Sequence, residues 1–375
     1  MINFAPFDID PLTGFLPNPD PLTHLPPYFA AWDALGAQLP VMLLARKTRA
    51  YIAAMPLLDV NRLEGRGQRE RAMLLLTTFA NAFVWGEPQV ATRIPASLAV
   101  PLCRVSALVG RKPIISHASN VLYNWLRIDA SGSIDLDNLT TLQPFLGSSD
   151  EAWFVLVTVA IEARGAAALS QLVRAQAAVV AGDTAEVSSA LTQIAQTVEV
   201  MTRTLLRMYE QCDPHVFFHR VRPFLAAWPA PGVIYEGVSA APMIFAGGSA
   251  AQSSLVQALD AALGVQHTSE RSRPFLHEMR GYMPPGHRRF IETLECGPDM
   301  AAFVHANRTT APLLMDNYNH VIDLLSEFRR QHMEVATRYI TMQAPKPEAA
   351  LGTGGTDFAH FLDATKRETR ARRLS

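Results

Sequence analysis

Apolar positions along the chain recur mostly at the three-to-four-residue spacing of a helix, and seldom at the two-residue spacing of a strand. Helical patterns cover Ala30–Ala54, Gly67–Trp85 and Ala96–Val109. The stretch Ile114–Ile128 is richer in β-branched and aromatic residues, and Ser131–Gly132–Ser133 separates it from Ile134–Leu139. That arrangement predicts a small hairpin. Leu146–Gly147–Ser148–Ser149 breaks the pattern and supplies capping residues for the next helical stretch.

From Asp150 onward the reading is helical almost throughout: Asp150–Ala181, Thr184–Gln211, Pro214–Trp228, Ala250–Leu263, Ser272–Gly281, Pro285–Leu294 and Thr310–Met342. Asp150–Ala181 is apolar on most sides and rich in small residues, among them Ala160, Ala163, Gly165 and Ala166. Such a helix is expected at the centre of a fold, closely approached by its neighbours. The fold class expected is all-α. A smaller, mixed but mainly helical N-terminal domain spans residues 1–147, and a large helical domain spans 148–375.

Proline changes the picture at the start of the chain. Seven prolines fall between Pro6 and Pro27, and each fixes φ and removes a donor, which predicts an irregular arm lying over the surface. The charges nearly cancel, with 33 Lys+Arg against 34 Asp+Glu, so nothing in the balance attracts nucleic acid or an anionic membrane. The basic tail from Lys366 to Arg373 reads as the solvated end of a helix. Three cysteines, Cys103, Cys212 and Cys296, are far apart and show no metal-site spacing. The first 45 residues hold no Lys or Arg for a secretory signal. The most strongly apolar run, Trp153–Ile161, is too short to cross a bilayer. A cytoplasmic location is the expectation.

Four segments carry candidate chemistry. On Asp316–Ile340, helical spacing puts Val321, Leu325, Phe328, His332, Val335 and Tyr339 on one face, with Glu327, Arg330 and Glu334 opposite. His332 is then either a core histidine satisfied by a hydrogen bond or an axial ligand to haem iron, held on a rigid apolar helix. Arg329, at the edge of that face, forms either an ordinary ion pair or a contact to a haem propionate. In Phe245–Gln252, Ser249 and Gln252 have the spacing of a capping box. Gly247 and Gly248 before them permit unusual φ and close approach to a ligand. In Asp213–Pro223, Asp213 and Pro214 mark a helix start. Arg222 precedes Pro223, which aims it off the regular helical direction, toward a structural acid or a substrate carboxylate. Gly352–Asp357 lacks the lysine of a phosphate loop and reads as a linker or a lid. No spacing nominates a catalytic acid or base.

These segments, in this order, resemble the indoleamine 2,3-dioxygenase family. The likeness runs from about Pro56 to the end. It is densest at FAGGSAAQSS (Phe245–Ser254), FLHEMRGYMPPGHRRF (Phe275–Phe290), FRRQHMEVATRYI (Phe328–Ile340) and GTGGTD (Gly352–Asp357). The resemblance implies haem b as cofactor with its iron on His332, and Arg329 with Asp260 near the propionates. Phe154 and Thr158 correspond to the distal wall, Phe217 to the aromatic residue on the substrate ring, and Arg222 to the arginine that holds the carboxylate. Gly248, Ser249 and Ala250 line the pocket, and Thr353 belongs to a glycine-rich lid over 343–357. His117 stands where animal members have a tyrosine at the pocket edge.

The activity implied is insertion of O2 across the C2–C3 bond of L-tryptophan or a related indoleamine. The product is N-formylkynurenine, as in tryptophan catabolism, and a reductant of unspecified kind keeps the iron ferrous. Two other readings stand beside it: a haem enzyme of the superfamily acting on another indole in secondary metabolism, and a haem-binding protein without turnover. The intact GTGGTD and FAGGSA segments argue against the first, and Arg222 with the lid against the second.

Overall fold

The most apolar stretch of the sequence becomes the axis of the molecule. In the computed structural model, which describes residues 3–270, 272–345, 352–354 and 358–375, Ser149–Ala181 is a helix of 33 residues, about 50 Å long at the usual rise. Its start is fixed twice. Ser148 accepts the Glu151 amide at 3.3 Å, and the Glu151 carboxylate turns back to accept the amides of Phe145, Leu146 and Gly147 at 2.6, 2.7 and 3.0 Å. Gly182, at φ 72°, ends it, in the left-handed conformation that glycine adopts without strain.

The chain then returns as Thr184–Leu206, capped by Asp183, whose side chain accepts the Glu186 amide at 2.9 Å. Pro312–Ala336 packs against Thr184–Leu206. The expected close approach occurs at Gly165: a Cβ there would lie 2.1 Å from Leu255 Cδ2 on the crossing helix Ser254–Leu263. Ser149–Ala181 is long and apolar enough to cross a membrane, yet 67% of its most apolar window is buried against the protein itself. It is a core helix.

The N-terminal half holds Ala30–Leu44, Thr48–Ala53, Gly65–Trp85 and Ala96–Val109. The single helix expected over Ala30–Ala54 is broken after Leu44, where Arg46 takes a left-handed φ of 53°. The hairpin forms with two residues per strand, Leu126–Arg127 against Leu139–Thr140 in antiparallel register. The β-rich composition before it serves burial instead: Ile114, Ile115, Val121, Leu122 and Trp125 are all inside, on a segment that includes a π-turn at Ala118–Leu122. A second pair, Arg93–Ile94 parallel to Ile234–Tyr235, ties the two halves together.

One expectation fails at the start of the chain. The proline-rich arm is docked rather than laid over the surface: Ile9, Phe15 and Leu16 are buried. The Phe15 ring lies 4.5 Å from that of His287, and Phe7 lies 5.5 Å from Phe290. Gly14 sits so close to the central helix that a Cβ would meet Ala166 Cβ at 2.8 Å. Proline forbids regular hydrogen bonding, not burial; here Asp10 accepts the Leu12 and Thr13 amides at 2.8 and 3.0 Å to satisfy the irregular backbone. The arm therefore rests on helices from beyond residue 147. The basic tail ends a helix, as expected, with Arg367 and Arg373 exposed. Helix Phe358–Arg370 packs on Pro312–Ala336, and Arg372 and Arg373 reach Asp299 and Asp323 at 2.7 and 3.3 Å. The helix Met300–Ala306, only seven residues, gave no periodic signal in the sequence.

Candidate functional site

Between the central helix and Pro312–Ala336 lies a mostly apolar cavity, and every residue singled out from the sequence as a site residue lines it. Phe154 and Thr158 stand one turn apart on the central helix. The Thr158 hydroxyl donates to the Phe154 carbonyl at 3.0 Å, so its proton is spent within the helix. Phe217 faces Phe154 with ring centroids 4.5 Å apart, and Tyr339 meets Phe217 edge-on at 5.8 Å.

Phe217 and Arg222 sit where the expected helix Pro214–Trp228 loses its regular form. Asp213 caps the start, its side chain accepting the His215 and Val216 amides at 2.9 and 3.0 Å. The chain then widens into a π-turn at Phe217–Val221 and tightens into Arg222–Leu225, as Pro223 requires. This irregular stretch is held from the side: Asn81 donates to the Phe224 carbonyl at 2.9 Å, and Phe145 stacks on Phe224 at 4.9 Å. The half-buried Arg222 guanidinium lies 5.2 Å above the Phe218 ring, and burial holds its pKa below the usual arginine value.

The paired glycines need no unusual φ, contrary to expectation; neither is among the glycines with positive φ. Gly247 is required by another backbone rather than by a ligand, since a Cβ would fall 2.1 Å from the Leu225 carbonyl oxygen. A Cβ on Gly248 would meet nothing within 4 Å. Ser249 forms the capping box foreseen with Gln252. Gln252 does more than that: it accepts the His117 amide at 2.9 Å and donates to the Gly247 carbonyl at 2.8 Å. Ala250 follows in the same cavity-lining turn. Thr353 closes over this segment, its hydroxyl donating to the Gly248 carbonyl, while its own carbonyl accepts the Ala227 amide at 3.0 Å. Of the lid expected over 343–357, residues 346–351 and 355–357 lie outside the described residues.

On the opposite wall, His332 projects from the apolar face of Pro312–Ala336. Glu327, Arg330 and Glu334 pair with one another on the far face. Neither ring nitrogen of His332 makes a hydrogen bond to a described residue, so none of these residues supplies the partner that a satisfied core histidine would have. Burial, and after it the charge of Arg329, push its imidazole down to about 4. It is therefore neutral at physiological pH, with a lone pair open to a metal.

Arg329 donates Nη2 to both oxygens of Asp260, at 2.8 and 2.6 Å. Its Nη1 is buried with no hydrogen-bond partner among the described residues. Asp260 also meets His267 at 3.1 Å, and His267 meets Glu368 at 2.8 Å, which joins the C-terminal helix to the cavity wall. Burial raises the Asp260 pKa, but Arg329 and His267 outweigh it and hold it below the usual value. Sequence reasoning missed His267, Glu368 and Glu162, because none stands in a motif and each meets at least one partner only across the fold.

The profile described as "Indoleamine 2,3-dioxygenase" matches residues 3–372. This chain belongs to the indoleamine 2,3-dioxygenase family. Its relatives include indoleamine 2,3-dioxygenase 2 of Mus musculus, 36% identical over 95% of this chain and 92% of the relative. The indoleamine 2,3-dioxygenase of Saccharomyces cerevisiae is 32% identical over 96% and 91%. The 6-hydroxytryptophan 2,3-dioxygenase fscD of Fusarium equiseti is 31% identical over 98% and 97%. Indoleamine 2,3-dioxygenases are haem-iron enzymes acting on indoles. The residues present fit that cofactor: an apolar cavity, a neutral imidazole on one wall with no hydrogen-bond partner among the described residues, and a buried guanidinium nitrogen that none of them satisfies, where an anionic edge would meet it.

Proposed function

We propose that this chain opens the C2–C3 bond of L-tryptophan or a closely related indole amino acid to give an N-formylkynurenine. Haem, when bound, supplies the activation of O2 that this insertion needs. The observation that carries the reading is that His332 and Arg222 line one apolar cavity. An iron ligand and a carboxylate anchor thus share one enclosure. Among the family, one relative acts by name on a ring-hydroxylated tryptophan, so the reading commits to the indole amino acid and not to a bare ring.

In this reading His332 is the iron ligand, and Arg329, oriented by Asp260, meets the propionates with Nη1. Phe154 and Phe217, in contact with each other, form one apolar wall against the indole and keep water out. Arg222 pairs with the substrate carboxylate, and the cation is worth more there because the cavity is apolar. Gly248, Ser249, Ala250 and Thr353 form the wall that closes beside the substrate. Fixing the ring in one orientation is the protein's main contribution to rate. No side chain has to act as acid or base. The three free thiols accord with a reducing, cytoplasmic setting.

The test is to purify the haem-loaded protein, reduce it, and supply L-tryptophan under air. Formylkynurenine appearing with the haem absorption band intact is the expected result. Haem retained with no product from any indole amino acid would overturn the reading.

A further inference from the structure

The charges behind Arg329 form a longer chain than the proposed reaction uses. Helix Ser254–Leu263 ends at Gly264, whose φ of 70° turns the backbone so that the Val265 amide donates to the Asp260 carbonyl at 2.9 Å. The chain thereby returns past its own last turn and sets His267 beside the Asp260 side chain. His267 Nε2 meets Asp260 Oδ2 at 3.1 Å, and the same oxygen accepts Arg329 Nη2 at 2.6 Å. On its other side His267 Nδ1 meets Glu368 Oε2 at 2.8 Å. Asp260, His267 and Arg329 all line the cavity.

Each imidazole nitrogen therefore faces a carboxylate oxygen. A neutral ring carries one N–H and donates to one of them; only the imidazolium donates to both. The charged groups against His267 are Asp260 from its own side of the turn, Arg329 from Pro312–Ala336 and Glu368 from the C-terminal helix. Burial alone would lower its pKa, but the two carboxylates raise it above 6.5. The terminal torsion of an aspartate is broad, so a single guanidinium nitrogen leaves the Asp260 carboxylate free to turn. The bond from His267 restricts that turn.

Glu368 is fastened in its own right. Its Oε1 accepts the Thr268 and Ser269 amides at 2.9 and 2.8 Å, and the buried Ser272 hydroxyl lies 3.4 and 3.3 Å from its two oxygens. These contacts seat the last turn of helix Phe358–Arg370. The same helix presents Phe358, Phe361 and Leu362 to the cavity, and Phe361 packs edge-on against Phe275 at 5.1 Å. One imidazole thus joins the carboxylate that orients Arg329 to the carboxylate that seats this helix.

We propose that His267 is a positioning residue for the cofactor: held by Glu368, it fixes the Asp260 carboxylate and so aims Arg329 Nη1 at the cofactor's anionic edge, which makes cofactor retention depend on the seating of the C-terminal helix. The inference rests on the reading that Arg329 meets the haem propionates. It adds a residue that touches neither haem nor substrate, and a link from the cofactor to a helix distant in the chain.

The experiment follows haem transfer from the full-length, haem-loaded protein to a scavenging globin, between about pH 6 and 9. Wild-type transfer should accelerate as pH rises through the folded His267 value, because the neutral ring releases one carboxylate. His267→Gln should lose haem about tenfold faster at the acid end, as removal of an outer partner of a metal site does, with a flattened pH profile. Glu368→Gln, which keeps an acceptor for the two amides and removes the charge beside His267, should move the wild-type profile to lower pH. Amide exchange over residues 358–370 should slow on haem binding in the wild type, and slow less in His267→Gln. A role in fold stability alone would change urea unfolding and leave transfer rates from the folded protein unmoved; that result overturns the proposal. So does wild-type transfer independent of pH, which requires no variant to fold. Arg329→Lys keeps the charge but cannot serve Asp260 and an anion together, and should also speed haem loss. Unchanged loss in Arg329→Lys overturns the propionate contact and this inference with it. Faster loss there, with none in His267→Gln or Glu368→Gln, overturns this inference alone.

Discussion

Arg329 gives a single nitrogen to both oxygens of Asp260, at 2.8 and 2.6 Å, and keeps the other terminal nitrogen buried and without a hydrogen-bond partner among the described residues. The geometry orients the guanidinium without exhausting it. Removing Asp260 leaves an uncompensated buried cation, so Asp260→Ala should cost about 3–5 kcal/mol in denaturant unfolding. It should also speed haem loss to a scavenging globin. Unchanged haem loss would show that the pair serves stability alone.

The same cluster sets a pH dependence. Asp260 and Glu368 are held below their ordinary values of 3.8 and 4.5, so their stabilisation is present above those values and is lost as pH falls through the lower folded ones. His267, although burial alone would lower it, is raised above 6.5 by Asp260 and Glu368. Its contribution is complete below 6.5 and is lost as pH rises through the folded value. The stability difference between wild type and His267→Gln should therefore be largest between the two limits and shrink on the alkaline side. A difference that grows with rising pH would contradict this assignment.

His332→Ala should leave the helical circular dichroism intact and abolish haem retention. The imidazole makes no hydrogen bond to any described residue, so its loss removes no internal one. A variant that holds haem with an unchanged absorption spectrum would remove His332 as the ligand.

Arg222→Ala should spare haem content and lower kcat/KM for L-tryptophan by about ten- to hundredfold, the worth of a charge-assisted hydrogen bond. Turnover or binding of tryptamine, which lacks the carboxylate, should fall far less. Equal losses for both would assign Arg222 to packing against Phe218 instead.

Gly165→Val should destabilise by about 1–3 kcal/mol, because the first added carbon already falls 2.1 Å from Leu255 Cδ2 in a fully packed crossing. Leu255→Ala combined with it should recover part of the loss. Additive losses in the double variant would mean that the two residues do not meet.

The sequence alone was enough to establish the helical class, the central helix, its boundary at Ser148 and the faces of the helix that bears His332. Each derives from periodicity and capping, which act over a few residues. Motif likeness added the roles proposed for His332, Arg222 and Thr353, although the spacing by itself left His332 open between core and ligand. Tertiary structure decided the rest. Whether proline-rich residues 3–27 lie outside or inside depends on whether a partner surface such as the Phe290 helix exists to bury Phe7 and Phe15, and no local pattern records that. The same is true of Glu162, His267 and Glu368. A charge without a motif gains its meaning from its partner, and His117, Asp260 and Thr268 reach these three from distant parts of the fold or from across a turn.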